Sequence, residues 1–403
     1  MPPTAKAFNR VQNAKSEADI YNPIIEAINS GAPNASSRCP GFQLRNTSNL
    51  ADKSMGIIGS SKPDIVCYAE EHLPLVQVEG KSLDAVTDMG FAATFIEVKL
   101  QTNMDCWADP TEGVDRDEWY LALGHQRVDS LAPSFEEAEE ALGQNASYAL
   151  EICARQHRGF CLSVAISGRH ARFIRWDRAG LIISQAFDYV SFPEYLCEFF
   201  WRFAHLSDAQ RGYDLSVQPA TETEGEYFVN ALRRHICSQT EGLENQAPLE
   251  DALDTHYMAN SVTAVSLPRR DGSESRRLLV SRPLTVPLSI TGRATRAYWA
   301  VEYKPDAVND VPVVLLKDTW RLHEHYSESE GDIIRELNKA RVPNIPSVVC
   351  DCDVYRRVFD VRRASGSSNK PETIDNDTDR DGAHAVSRQC MFSDLTYTIL
   401  LPS

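Results

Sequence analysis

An apolar run, VPVVLL at 311–316, ends on Lys317, and Glu330 a short way on opens an amphipathic segment, EGDIIRELN. A short run of β-branched and aliphatic residues reads as a buried strand. Taken alone, a lysine at the end of such a strand reads as an interface or edge-strand residue. In the segment after Glu330, Ile333, Ile334 and Leu337 fall at helical spacing, which predicts a helix with those three facing inward. Upstream, GRATR (Gly292 to Arg296) is turn-forming, and the AYWAVEY that follows reads as a strand. Turn, strand, Lys-bearing strand and Glu-bearing helix thus succeed one another within a short span.

The first half has a different pattern. Ile20, Ile24, Ile25 and Ile28 predict a helix over 16–30, with Ser16 as its N-cap. SKPDIVCY, LPLVQVEG and ATFIEVKL read as strands between 57 and 100, and 105–119 as an acidic loop. Helical patterns cover 119–156, with breaks expected near Pro133 and Gly143. GFCLSVAISG and ARFIRWDR predict a hairpin through Gly168, Arg169 and His170, and LIISQAFDY a third strand. SFPEYLCEFFWRFAHLS reads as a helix, and the first domain is expected to close near Tyr213.

The expected division is 1–214, then a linker with one short helix at 215–260, then 261–403. Within the last part, TAVSLP and RRLLVSR flank a DGSES turn, and Cys350 and Cys352 alternate with Asp351 and Asp353 along one strand. The polar stretch at about 362–386 is nearly free of large apolar residues and predicts disorder. LTYTILL predicts one more strand.

Period-two alternation in FIEVKL puts Phe95, Glu97 and Lys99 on one face of a strand and Ile96, Val98 and Leu100 on the other. An Asp at a neighbouring strand end, Asp64, would complete a set of hard oxygens suited to Mg²⁺. A lysine beside them could orient water or neutralise charge on a phosphate. The plain alternative is a surface ion pair of little energetic consequence. The order of these residues resembles the PD-(D/E)xK pattern of restriction-endonuclease-like folds. That resemblance implies Asp64 and Glu97 as metal ligands, Lys99 as the catalytic lysine and Glu26 as an accessory acid. Gln144 and Tyr148, matching a QxxxY helix motif, would help position the lysine or the substrate.

The second half resembles a protein kinase small lobe, in which a strand lysine reaches the α- and β-phosphates of ATP and a helix glutamate holds it. Lys317 and Glu330 match those positions, with Glu336 as the alternative glutamate. GRATR takes the place of the Gly-rich loop, with Gly292 as its one glycine, so weak ATP binding is expected. From about residue 20 to about residue 355 the chain resembles the fungal-type protein kinases. The markers are IEVKL, QHRGFCLSVAISGRHARFIRWDRAG, RGYD at 211–214, GRATR, LLKDTWR and EGDIIRELN-to-VPNIP. The implied architecture is α+β or α/β: an N-terminal mixed sheet flanked by helices, restriction-endonuclease-like, then a partial small lobe of antiparallel strands and one helix. The implied activity is ATP-dependent phosphorylation of Ser or Thr. Nothing after Glu330 resembles H-R-D-x-x-x-x-N or D-F-G, so a truncated, independently inactive kinase is the expectation. Mg²⁺-dependent cleavage of nucleic acid, or a non-catalytic binding module, is the alternative.

A formal charge of −16 and a pI near 5.1 argue against a general nucleic-acid coat but leave room for a local basic patch. The basic segment from Arg155 to Arg178 (Arg155, His157, Arg158, Arg169, His170, Arg172, Arg175 and Arg178) is the candidate for phosphate or nucleic-acid contact, with a solvated face as the plainer reading. No apolar run is long enough to cross a membrane, and the N-terminus lacks a signal-peptide core. An intracellular protein, cytoplasmic or nuclear, is expected. Its ten cysteines show no metal-ligand spacing and read as reduced thiols.

Overall fold

A computed structural model describes residues 4–31, 37–52, 61–109, 113, 135–239, 247–259, 261–268, 275–306, 311–322, 329–354 and 392–401. The predicted disordered stretch at 362–386 and the break at Pro133 lie outside the described residues. The chain builds two sheets with helices on their faces, a mixed α+β architecture.

The first sheet contains β1 (Phe42–Asn46), β2 (Ile65–Ala69), β3 (Gln77–Val78), β4 (Lys81–Ala85), β5 (Ala92–Lys99), β6 (Phe160–Ser167), β7 (His170–Asp177), β8 (Gly180–Ile183) and β9 (Phe187–Asp188). Their order is β3-β4-β1-β2-β5-β6-β7-β8, with β9 on β7. The pairs β1–β4 and β5–β6 are parallel, so the sheet is mixed. Helices α1 (Ala18–Asn29) and α4 (Pro193–His205) share one core with Ile65, Ile96 and Val98. Helix α3 (Phe135–Arg155) closes the other face over Phe95, Cys161 and Trp176.

Several expectations are corrected. LPLVQVEG is a short helix, α2 (Leu73–Val76), followed by the two residues of β3, because Pro74 favours a helical first turn. Gly143 does not interrupt α3, whose apolar face is continuous from Ala141 to Cys153. Helix α1 starts at Ala18, and its entry is held by Asp19, which accepts the N–H groups of Lys15 and Ser16 at 2.9 Å, rather than by the Ser16 side chain. LIISQAFDY divides into β8 and β9.

The second sheet contains β10 (Val217–Pro219), β11 (Thr263–Leu267), β12 (Arg276–Val280), β13 (Pro283–Thr285), β14 (Arg296–Glu302), β15 (Val313–Leu322), β16 (Ser347–Val354) and β17 (Phe392–Leu401). All its pairings are antiparallel, in the order β10-β11-β12-β14-β15-β17-β16, with β13 on β14. The stretch read as a linker belongs to this unit. It supplies β10, α5 (Glu222–Gln239) and α6 (Ala247–His256), whose Phe228, Leu232 and Leu253 pack under Leu279, Val301 and Val313. The final helix is α7 (Glu330–Lys339). Of the three residues expected on its inner face, Ile334 is buried, Leu337 is half-buried and Ile333 is exposed.

The opposite face of β14 and β15 meets the first unit. Arg296 donates to the Ala154 carbonyl at the end of α3 at 2.8 Å and pairs with Asp318. His157 stacks on Tyr298, with ring centroids 5.9 Å apart. The Arg178 guanidinium donates to the Ile290 carbonyl at 3.0 Å, and the Gly292 N–H donates to the Arg178 carbonyl at 2.9 Å. Both units are therefore locked by buried, hydrogen-bonded cations, with Ile290 packed against the core of the first unit.

Candidate functional site

Lys317 lies in β15 with its side chain on the face that also carries α5, α6 and α7. Its register partner on β14 is Ala297, and Leu315 pairs with Trp299 on the same face. Lys317 Nζ lies 2.6 Å from each carboxylate oxygen of Glu330, the first residue of α7. Both side chains keep about a quarter of their surface in solvent (26% and 28%), so the pair is reachable by a ligand. Glu336 instead pairs with Lys339 at the surface. Beside Lys317, half-buried Ala297 and Leu315 form an apolar floor. That floor is bounded by Trp299, on which the His256 imidazole of α6 stacks at 3.5 Å. An apolar floor beside a held ammonium is the chemistry a nucleotide needs: a surface for the base and a cation for phosphate.

Gly292 takes a φ of +87°, a conformation glycine adopts without strain. Its N–H is engaged by the Arg178 carbonyl. The next carbonyl, of Arg293, accepts from the Trp320 N–H at 2.8 Å. The loop is thus tied to the first unit and to the far end of β15, and the Gly292 amide is not brought to Lys317.

In the first unit, Asp64, Glu97 and Lys99 converge. Asp64 accepts from Tyr21 Oη at 2.7 Å and from the Val98 N–H at 2.9 Å. Lys99 Nζ lies 2.9 Å from Glu97 Oε1 and 3.3 Å from Gln144 Oε1. Tyr148, one turn further along α3, donates to the Lys62 carbonyl at 3.1 Å and packs edge-on against Phe95. Burial, reinforced by the Asp64 charge, pushes the Glu97 carboxyl up to about 7, although Lys99 opposes the shift. Burial also raises Asp64, against the hydrogen bonds from Tyr21 and Val98. Burial alone would lower Lys99, but the charge and hydrogen bond of Glu97 together with the charges of Asp64 and Glu17 outweigh it and hold the ammonium above its ordinary value.

Glu26 stands apart from this set, its exposed carboxylate paired with Arg10. The acid near the start of α1 whose charge reaches the cluster is Glu17, which acts on Asp64, Glu97 and Lys99. The only sequence signal for Glu17 is its place immediately before α1. A divalent cation implied by the fold resemblance fits this set poorly. Both Asp64 oxygens and Glu97 Oε1 already accept hydrogen bonds, leaving Glu97 Oε2 as the buried acceptor without one. Among the described residues, no group of three or more His, Cys, Asp or Glu is arranged to hold a metal.

The basic segment is largely consumed by the fold. Arg155 bridges Asp52 and Asp88. Arg172 pairs with Asp105 and Asp109, and Arg169 with Asp188. Arg158 is buried against the Ala92 and Ala93 carbonyls and the Tyr213 ring. Arg175 lies over Phe160 beside Asp177, and His157 is buried in the seam between the sheets. No helix of the described residues is long and apolar enough to cross a membrane.

Comparison with known proteins gives one match. Residues 123–384 match the family model described as Fungal protein kinase. No curated protein and no solved structure matches. The matched stretch is well over half of the 403 residues, and the protein belongs to the fungal protein kinase family.

Proposed function

We propose that the second unit binds a nucleoside triphosphate as a kinase small lobe does, with Lys317 on the α- and β-phosphates and Glu330 holding the lysine. The observation that carries this reading is the Lys317–Glu330 ion pair, closed across β15 and α7 at 2.6 Å. Ala297 and Leu315 would take the base, and Mg²⁺ would arrive with the phosphates as the family's chemistry requires. With one glycine in the loop and its amide engaged, affinity is weak. Among the described residues, Lys317 would meet phosphate, and none takes the place of the H-R-D aspartate as acceptor of a hydroxyl proton. The reading is thus nucleotide binding by these residues, without phosphate transfer by them alone. The test is incubation of pure protein with γ-labelled ATP and, separately, with a photoreactive ATP analogue. Photolabelling without autophosphorylation, lost in Lys317→Ala, is expected. Autophosphorylation that depends on Lys317 would overturn the second half of the reading.

A second reading, cleavage of nucleic acid by a restriction-endonuclease-like first unit, is favoured by the convergence of Asp64, Glu97 and Lys99. The separate position of Glu26 and the engaged Asp64 oxygens weigh against it. A cleavage assay in Mg²⁺ or Mn²⁺, with Glu97→Ala and Lys99→Ala as controls, decides it. No cleavage above the level of those controls is expected.

A further inference from the structure

The register of the second sheet aligns Lys317 with a second charged residue. Lys317 of β15 pairs with Thr398 of β17, and Thr398 pairs with Asp351 of β16. Residues directly opposite one another across neighbouring strands share a face. Lys317 and Asp351 therefore emerge on the same side of the sheet, two strand spacings or about 10 Å apart. Helix α7 lies across that row and is gripped at both ends of it. At one end Glu330 meets Lys317. At the other, Asp351 receives the Ser329 hydroxyl at 3.2 Å and the Arg335 guanidinium.

The Asp351 end is built for close approach. Asp351 is 4% exposed although it sits on a strand whose neighbours Cys350 and Cys352 are only half-buried. Gly331 faces it, and a Cβ at that position would run into the Asp351 carboxylate. Ser329 caps the helix, its Oγ accepting the Asp332 N–H at 3.0 Å, while Arg335 also bonds Asp332 at 2.7 Å. A carboxylate against the first turn of a helix is further favoured by the helix dipole. Ser329, Gly331 and Arg335 flank Glu330 on both sides, so their contact with Asp351 fixes where the Glu330 carboxylate lies.

We propose that Asp351, through Arg335 and the close approach at Gly331, is a positioning residue for the Lys317–Glu330 pair and hence for nucleotide phosphate. The nucleotide part of this inference rests on the function proposed above. Without the Asp351 anchor, α7 turns or lifts away from β16, Glu330 leaves Lys317, and the lysine amine is released.

The experiment uses the full chain and has two readouts. The first is the acetylation rate of Lys317 by acetic anhydride, followed by peptide mass spectrometry, which needs no nucleotide. The second is the affinity for a fluorescent ATP analogue. Asp351→Asn removes the charge with little change of shape, and Gly331→Ala forces the helix away while keeping the carboxylate. Both should raise Lys317 acetylation and weaken analogue binding, each by roughly tenfold, a typical coupling between groups in one network. Arg335→Ala should act in the same direction, and Arg335→Lys should recover part of the loss. Unchanged Lys317 acetylation in folded Asp351→Asn or Gly331→Ala overturns the proposal. Failure of wild-type protein to bind the analogue, with acetylation rising in the variants, would refute the nucleotide reading and leave the anchor standing.

Discussion

Replacing Arg296 by alanine probes the seam between the two sheets. The Arg296 side chain is 4% exposed and its Asp318 partner 1% exposed. One Arg296 nitrogen holds the Ala154 carbonyl and another holds Asp318, whose Oδ1 is already buried without a hydrogen bond. Removing one member of a buried ion pair costs about 3–5 kcal/mol, because the surviving charge stays desolvated. Stranding the Ala154 carbonyl adds to this, within about 1–3 kcal/mol. A loss of at least about 4 kcal/mol is a large part of the roughly 5–15 kcal/mol that stabilises a typical domain.

The loss should depend on pH. Burial raises the Asp318 carboxyl above its ordinary value, and Arg296 is the chief group opposing that rise. Without Arg296 the folded-state value climbs further, so the folded variant holds a proton more tightly than the unfolded chain. Its stability then falls as pH rises and recovers as pH falls. His157, 4.0 Å from Asp318, acts in the same direction. Burial, and after it the Arg296 charge, lowers this imidazole, so loss of Arg296 relaxes part of the shift. Urea unfolding followed by tryptophan fluorescence at pH 8 and pH 5.5 measures both effects. The Arg296→Ala deficit should shrink on acidification, and adding Asp318→Asn should recover part of it at pH 8. A deficit below about 1 kcal/mol, the size of a surface pair, or one independent of pH, would refute the buried-charge reasoning.

Other consequences are separately measurable. Glu97, raised to about 7 in the folded protein, favours folding most below its ordinary value of 4.5, and this contribution is lost as pH rises through 7. The Glu97 contribution should therefore fall by roughly 2–3 kcal/mol between pH 5 and pH 8, and Glu97→Gln should flatten the slope in a pH series of urea midpoints. Gly212 has a φ of +94°, and a Cβ there would strike the Phe160 carbonyl. Gly212→Ala should cost about 3 kcal/mol by thermal or urea unfolding, and a change within about 0.5 kcal/mol would contradict the tight approach.

How much of this was legible in the sequence varied with the physics of each element. The Ile20, Ile24, Ile25 and Ile28 pattern identified α1, because a 3.6-residue period buries one stripe and little else competes. The hairpin at Gly168 and the strands bearing Glu97, Lys317 and Cys350 were readable for the same reason, with alternation in place of helical period. Helix α6 was not legible, since APLEDALDTH has a modest apolar face and gains its helicity from packing on β12 and β14. The basic segment showed only its charge. Its use was decided by Asp52, Asp88, Asp105 and Asp109, which lie far away in sequence and so could not be paired from composition. Asp351 was read as one side of an alternating strand. Its role emerged only once β17 aligned that strand with β15.

Isothermal titration of the full chain with Mg·ATP, beside Lys317→Ala and Glu330→Gln, tests the central claim most directly. The account predicts a weak, saturable heat of binding in the wild type that is abolished in Lys317→Ala and reduced in Glu330→Gln, with all three proteins folded. No binding by the wild type, or equal binding by Lys317→Ala, would contradict it.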